Sequence, residues 1–410
     1  MRKNVFFVLF GAFVLLTMNA CKDDVLDLDK ELKFTKLSVE TQKANIEQNG
    51  LDFMTAVEGM QDTKGMTALM NLLDLTGGEL TTAPMQQFAK DIQNARKNAL
   101  SNFDKQMRAS YIDSEVWGEY SYNPVTEEME QVKTLSNKLI LNFPATATTT
   151  TNNAKITVTY EDSSVEIPGT VDTDMEGVKF PSKITMVMTV DGVEKLTASF
   201  NGKYNSDGSP QELTESLKMD AYVWTTEIKN NNKTLSESVQ IVNGTVTLFK
   251  SKAEINGKLT ESALNAAMEE GAPEDAISGV AVYAQVMNVA VKAGTTNVKG
   301  LMNALKGVSG DLSEQAYMQK QADILNKYMV CTAYFADSNL KFADVELYVV
   351  EYTDEYGSYD PIQEKYMPQT YYDLAPRFVL SDGSKVTAEE YVMNSFDEII
   401  DKLNEMVTPK

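Results

Sequence analysis

The sequence predicts an α+β protein, a large twisted antiparallel β-meander packed against amphipathic helices, from three observations. Apolar residues recur at helical spacing in blocks near both ends of the chain. Between those blocks the period falls to two, and the alternating segments are separated by Asp-Gly and Asn-Gly dipeptides that suit tight hairpins. No repeat of 20 to 50 residues and no regular alternation of strand with helix is present, so a solenoid, a propeller or a doubly wound nucleotide-binding sheet is disfavoured.

The elements follow in chain order. Over 36–110, Ile46, Phe53, Met54, Val57 and Met60 recur at three and four, MTALMNLLDL continues the pattern to Gly77-Gly78, and a stripe from Met85 to Phe103 follows Pro84. From 111 to 259 the chain reads as the meander. KITVTY sets Ile156, Val158 and Tyr160 on one face, KITMVMTV sets Ile184, Met186, Met188 and Val190 together, and turns are expected at Asp191-Gly192, Asn201-Gly202, Asn243-Gly244 and Asn256-Gly257. Residues 260–335 read as a second helical block, with Ile277, Val280, Ala284, Met287 and Val291 in one helix and a capping box at Asp311-Leu312-Ser313-Glu314. Strands and a C-terminal helix close the chain over 336–410, the helix opening at the capping box Thr387-Ala388-Glu389-Glu390. The span 36–410 is expected to be one compact unit.

The first 20 residues pair Arg2 and Lys3 with an apolar run from Val5 to Leu16 and end on small Ala20, the pattern of an export signal. The run is shorter than the ~20 apolar residues a spanning helix needs. Leu16-Thr17-Met18-Asn19-Ala20-Cys21 resembles a bacterial lipobox, and Lys22-Asp23-Asp24 resembles the export tag of Bacteroidota surface lipoproteins. The resemblance covers only this terminus. It implies acylation of Cys21, a lipid-anchored outer-membrane location with the body facing either inward or out to the surface, and a tether over 21–35.

Composition narrows the chemistry. With no histidine, Ser-His-Asp and Cys-His machinery and imidazole zinc sites are excluded. Cys331 is the only cysteine besides Cys21, so an intrachain disulfide is not expected once Cys21 carries lipid, and Cys331 reads as a buried thiol late in a helix. Loss of Arg2 and Lys3 with the signal moves the formal charge from −22 to −24, which argues against nucleic acid as a partner. No glycine-rich phosphate loop follows a strand, and no cofactor is expected.

Candidate ligand groups remain. Tyr348, Tyr352, Tyr356, Tyr359, Tyr366, Tyr371 and Tyr372 gather among acids and prolines, where exposed rings would stack on sugars and buried ones would pack a loop. Met186 and Met188 on one strand face would line an apolar cavity or fill an ordinary core. Asp172, Asp174 and Glu176 with Gly177 follow the first half of a calcium loop, but Lys183 stands where its last ligand belongs, so a solvated acidic connection is the plainer reading. Acids such as Glu127, Glu128 and Glu130, or Asp354 and Glu355, are too common in this chain to mark a glycosidase pair by adjacency. The expected role is non-catalytic binding or scaffolding at the envelope, with a glycan or protein partner. A carrier of lipid or another apolar ligand is the alternative, and a carboxylate-pair glycosidase comes third.

Overall fold

The computed structural model describes residues 26–75, 117–166, 179–206, 208–269, 271–360 and 365–392. One sheet of sixteen strands dominates it. The strands are β1 Gly118–Asn123, β2 Glu128–Thr134, β3 Lys138–Phe143, β4 Ala154–Glu166, β5 Lys179–Val190, β6 Val193–Tyr204, β7 Pro210–Met219, β8 Tyr222–Asn230, β9 Thr234–Asn243, β10 Val246–Gly257, β11 Ile277–Val286, β12 Val289–Thr295, β13 Val330–Phe335, β14 Leu340–Asp360, β15 Lys365–Val379 and β16 Lys385–Thr387. From β3 to β16 each strand pairs antiparallel with the next in sequence. The edge past β3 is formed by β1, parallel to it, and then β2. Helices among the described residues are α1 Val39–Gln61, α2 Lys64–Leu75, α3 Glu261–Glu269, α4 Val298–Lys306, α5 Glu314–Tyr328 and α6 Ala388–Val392.

The α+β expectation is therefore corrected: the molecule is an open, mostly antiparallel β structure, and its helices do not build a second layer of comparable extent. The error arose chiefly in the block 260–335. Val280, Ala284, Met287 and Val291 fit a helical stripe, but Val280, Val282, Ala284 and Val286 also alternate, and β-branched valines favour the pleated surface. The chain there forms β11 and β12. Cys331 likewise lies on β13 and not in a helix. The stripe from Met85 to Phe103, the acidic loop at Asp172 and the C-terminal helix past Val392 lie outside the described residues.

Turn chemistry explains the meander. Asp191 (φ 51°) and Gly192 (φ 77°) take left-handed conformations in a two-residue loop between paired Val190 and Val193, as VDGV predicts. Asp220, Asn232 and Asn339 adopt the same region at other hairpins. Asn201-Gly202 is no turn but lies within β6, where Tyr204 folds over Gly202 so closely that a Cβ would meet its hydroxyl at 2.4 Å. Asn256-Gly257 ends β10, and the chain leaves through α3 without a hairpin.

Alternation gives the sheet two unlike faces. On one face lie Ile156, Met188, Leu196, Ala253 and Ala333, and on the other Thr157, Thr185, Ser199, Ser238 and Lys252. At the β3–β7 end of the apolar face, α2 lays Ala68 and Leu72 on Leu141, Phe143, Ile156 and Met188. At the β13–β15 end, Val39 and Ile46 of α1 and Tyr391 of α6 cover Ala333, Phe335, Phe342 and Phe378. Tyr391 Oη donates to Gln42 Oε1 at 3.2 Å, joining the last described helix to the first. The capping box at Thr387 is present in both directions: Thr387 N–H donates to Glu390 at 2.7 Å and Glu390 N–H to Thr387 Oγ1 at 3.0 Å.

Helix α1 crosses the strands along the end of the sheet that carries the odd-to-even turns. Its rise of about 1.5 Å per residue matches the ~4.8 Å strand spacing, so ten residues beyond Val39 the chain has passed three strands. There Asn49 Oδ1 accepts the Asn288 N–H at 2.8 Å in the β11–β12 turn, and further along the Ala56 carbonyl accepts from Tyr222 Oη at 2.9 Å on β8.

Residues 26–35, expected as tether, are bound to the polar face. Leu28 and Leu32 are 8% and 9% exposed. Lys292, only 3% exposed, donates from Nζ to the carbonyls of Asp27 (2.7 Å) and Lys30 (2.9 Å), while Thr35 N–H donates to Lys341 O (2.8 Å) and Lys341 N–H to Lys33 O (2.9 Å). Gly294 makes room for this strap: a Cβ there would stand 2.8 Å from Leu28 Cδ1 and 2.2 Å from the Val280 carbonyl oxygen.

Candidate functional site

Where the strap meets the turn-bearing end of the sheet, an open cleft of about 530 Å³ lies between the β9–β10, β11–β12 and β13–β14 turns. Its floor follows from register. Lys250 pairs with Gln285, Lys252 with Tyr283, and Ala290 with both Gln285 and Tyr334, so Lys250, Gln285, Tyr283 and Tyr334 project from one face. The two tyrosines are 2% and 3% exposed, and their rings stand 6.5 Å apart at 44°. Leu32 of the strap packs against both.

Hydrogen bonds hold the rim. Tyr283 Oη donates to Gln285 Oε1, and Gln285 Nε2 donates to the Met287 carbonyl, each at 2.5 Å. Asn288 takes Asn49 as acceptor for its N–H, while its own Oδ1 accepts from Asp337 N–H at 2.8 Å and its carbonyl from Ala336 N–H at 2.8 Å. These bonds surround Met287, whose φ of 50° is rare for a long side chain and costs about 1–2 kcal/mol. Such a conformation persists only where neighbours over-determine it, and it clusters at functional positions.

Burial pushes the Tyr334 phenol up to about 12, so it remains a neutral hydroxyl near pH 7. The cleft thus offers amides from Asn49, Gln285, Asn288 and Asn339, one cation in Lys250 and one carboxylate in Asp337, above a floor closed by the buried Tyr283 and Tyr334. That inventory matches a polyhydroxylated, uncharged molecule better than an anion or a hydrocarbon.

The residues singled out from the sequence are placed elsewhere. Tyr352 and Tyr371 face each other across β14 and β15 with rings stacked at 5.5 Å and 22°. Tyr352 is 51% exposed. Tyr348 is on the same face, under the Arg377 guanidinium at 4.8 Å, and Tyr372, paired with Glu351, is on the opposite one. Tyr359 and Tyr366 stand opposite each other in register and Tyr356 falls in the bulge between Asp354 and Ser358; the side chains of these three are outside the described residues. Among the described side chains, Tyr348, Tyr352 and Tyr371 share one face of β14–β15, and of these Tyr352 alone is exposed. Met186 and Met188 sit in the core under α2, Met188 fully buried. Cys21, Lys22, Asp23 and Asp24, together with Asp172, Asp174 and Glu176, lie outside the described residues. Among the described residues no group of three acids or cysteines is placed to hold a metal ion, and no helix is long and apolar enough to cross a membrane.

Glu127 lies in the β1–β2 turn and Glu128 opens β2, and Glu130 accepts from Asn123 Nδ2 and Thr126 Oγ1. Two other carboxylates stand out. Glu215 on β7 and Glu237 on β9 lie diagonally across β8 on the apolar face, near Thr226 and Ile228. Burial, reinforced by the charge of Glu215, pushes the Glu237 carboxyl up to about 8. Burial also pushes the Cys331 thiol up to about 12, which removes its nucleophilic form near pH 7.

The cleft was not anticipated because its parts come from distant segments around 49, 247–250, 283–288 and 334–339. The available signal was the interruption of an apolar run, AVYAQVMNVAVKAG, by Tyr283 and Gln285 two residues apart and by Lys292 opposite Tyr283. No family model, curated protein or solved structure matches the chain.

Proposed function

We propose that this chain is a lipid-anchored envelope protein that binds an uncharged glycan in the cleft over Tyr283 and Tyr334, without catalysis. The observation that carries this reading is the cleft itself: a ring of amides above the buried Tyr283 and Tyr334, and a left-handed Met287 locked by three hydrogen-bonded neighbours. Sugars are recognised by such fixed donors and acceptors. The anchor is supported by the register of signal, small residue and Cys21.

A glycan array probed with the purified chain tests the binding. Binding to at least one neutral oligosaccharide is expected, weakened about tenfold by Gln285→Ala, since a lost hydrogen bond in a partly buried site is worth about 1.4 kcal/mol. Binding to no oligosaccharide, or undiminished binding by both Gln285→Ala and Tyr334→Phe, would refute the cleft as a glycan site.

A further inference from the structure

The strap fixes how far the folded body can stand from a membrane. Resting on the reading of Cys21 as acylated, we infer that the strap-covered part of the polar face of β11–β14 is the membrane-proximal side of the protein, kept within reach of the bilayer by a tether of only five residues, with the cleft at the turn-bearing end left open. The strap is built into the sheet from Leu26 onward: Leu26 packs on its cluster with Leu32, Tyr283 and Tyr334, Leu28 enters the space left by Gly294, and Lys292 binds two strap carbonyls. A chain spans at most ~3.6 Å per residue, so Leu26 lies within about 18 Å of the lipid-bearing Cys21. Were the strap free up to the N-cap of α1 at Ser38, the same limit would be about 60 Å.

The lysines of this face serve the strap and the sheet: Lys252, Lys292 and Lys341 are 5%, 3% and 8% exposed, Lys252 and Lys341 beside Glu254 and Asp344 and Lys292 on two strap carbonyls. Lys292 acts as a clasp: its bonds to Asp27 and Lys30 decide whether the effective tether has five residues or well over ten.

The test uses full-length acylated protein in vesicles of phosphatidylethanolamine and phosphatidylglycerol with an acceptor-labelled lipid. A donor dye is placed on Ser338→Cys, in the β13–β14 turn, in a Cys331→Ser background. Strong energy transfer is expected, reduced at least twofold by ten Gly-Ser residues inserted between Val25 and Leu26, which leaves every strap bond intact. Lys292→Ala is expected to reduce transfer in the same direction. Weak transfer in vesicle-bound protein, or transfer unchanged by the insertion, would overturn the inference while leaving the anchor intact. Failure of the protein to float with vesicles, or equal flotation of Cys21→Ser, would instead remove the anchor reading and the inference with it.

Discussion

Replacing Glu237 by glutamine is expected to make the protein more stable in mild alkali and to leave its stability unchanged in acid. Glu237 sits on the apolar face of β9, and burial together with the charge of Glu215 raises its carboxyl from an ordinary 4.5 to about 8. A carboxyl raised in this way binds its proton more tightly folded than unfolded. Its contribution is fully present below the unfolded value of 4.5 and is lost as pH rises through the folded value near 8. Between those limits the wild-type protein should lose about 2–5 kcal/mol relative to the glutamine variant, a range that allows for partial exposure of the side chain. Urea unfolding at pH 4 and pH 9 checks this. Glu215→Gln should shrink the same difference, because it removes the second cause of the shift and leaves desolvation. Parallel pH profiles for the wild type and Glu237→Gln would show that Glu237 ionises normally in the folded chain.

Gly294→Ala is expected to cost about 3 kcal/mol, within the usual penalty for forcing a side chain into a packed site. A Cβ at this position meets the Val280 carbonyl oxygen at 2.2 Å and Ala281 Cα at 2.8 Å, both backbone atoms of the neighbouring strand that cannot rotate away, as well as Leu28 of the strap. Gly307→Ala is the control. It lies at the end of α4 with φ −81° and ordinary contacts of 3.4 Å or more, so alanine there should change stability by under ~0.5 kcal/mol or raise it. Denaturant midpoints of the two variants, measured side by side, decide the matter; equal effects would mean that the strap and β12 do not pack as described.

Local signals in the sequence were reliable where the local backbone alone decides. VDGV specified its hairpin because positive φ at Asp191 and Gly192 is set by residue type, and Thr387 with Glu390 specified a helix start because each satisfies the other's backbone N–H. Signals failed where tertiary context chooses between periods. The valines and alanines from Val280 to Val291 satisfy both helical and strand spacing, and pairing with β10 and β13 settles them as strands. Asn201-Gly202 has turn chemistry but serves as the flat spot under Tyr204. The strap was misread for a related reason. Leu26, Leu28 and Leu32 show no period because they bind as an irregular segment, docked by Lys292 and the hole at Gly294, some 265 residues away in sequence. The cleft was invisible for the same cause: register, not proximity in the chain, brings Lys250, Tyr283, Gln285 and Tyr334 together.

Residues 26–35 are docked on the folded sheet. Hydrogen exchange read by mass spectrometry on the peptide covering those residues tests this docking most directly. The account predicts protection of the Thr35 amide comparable to that of Lys341 on β14, since each strand of that small bridge accepts from the other. It also predicts loss of that protection in Lys292→Ala with the remainder of the sheet unchanged. Exchange of the whole segment within seconds in the wild-type protein would contradict it.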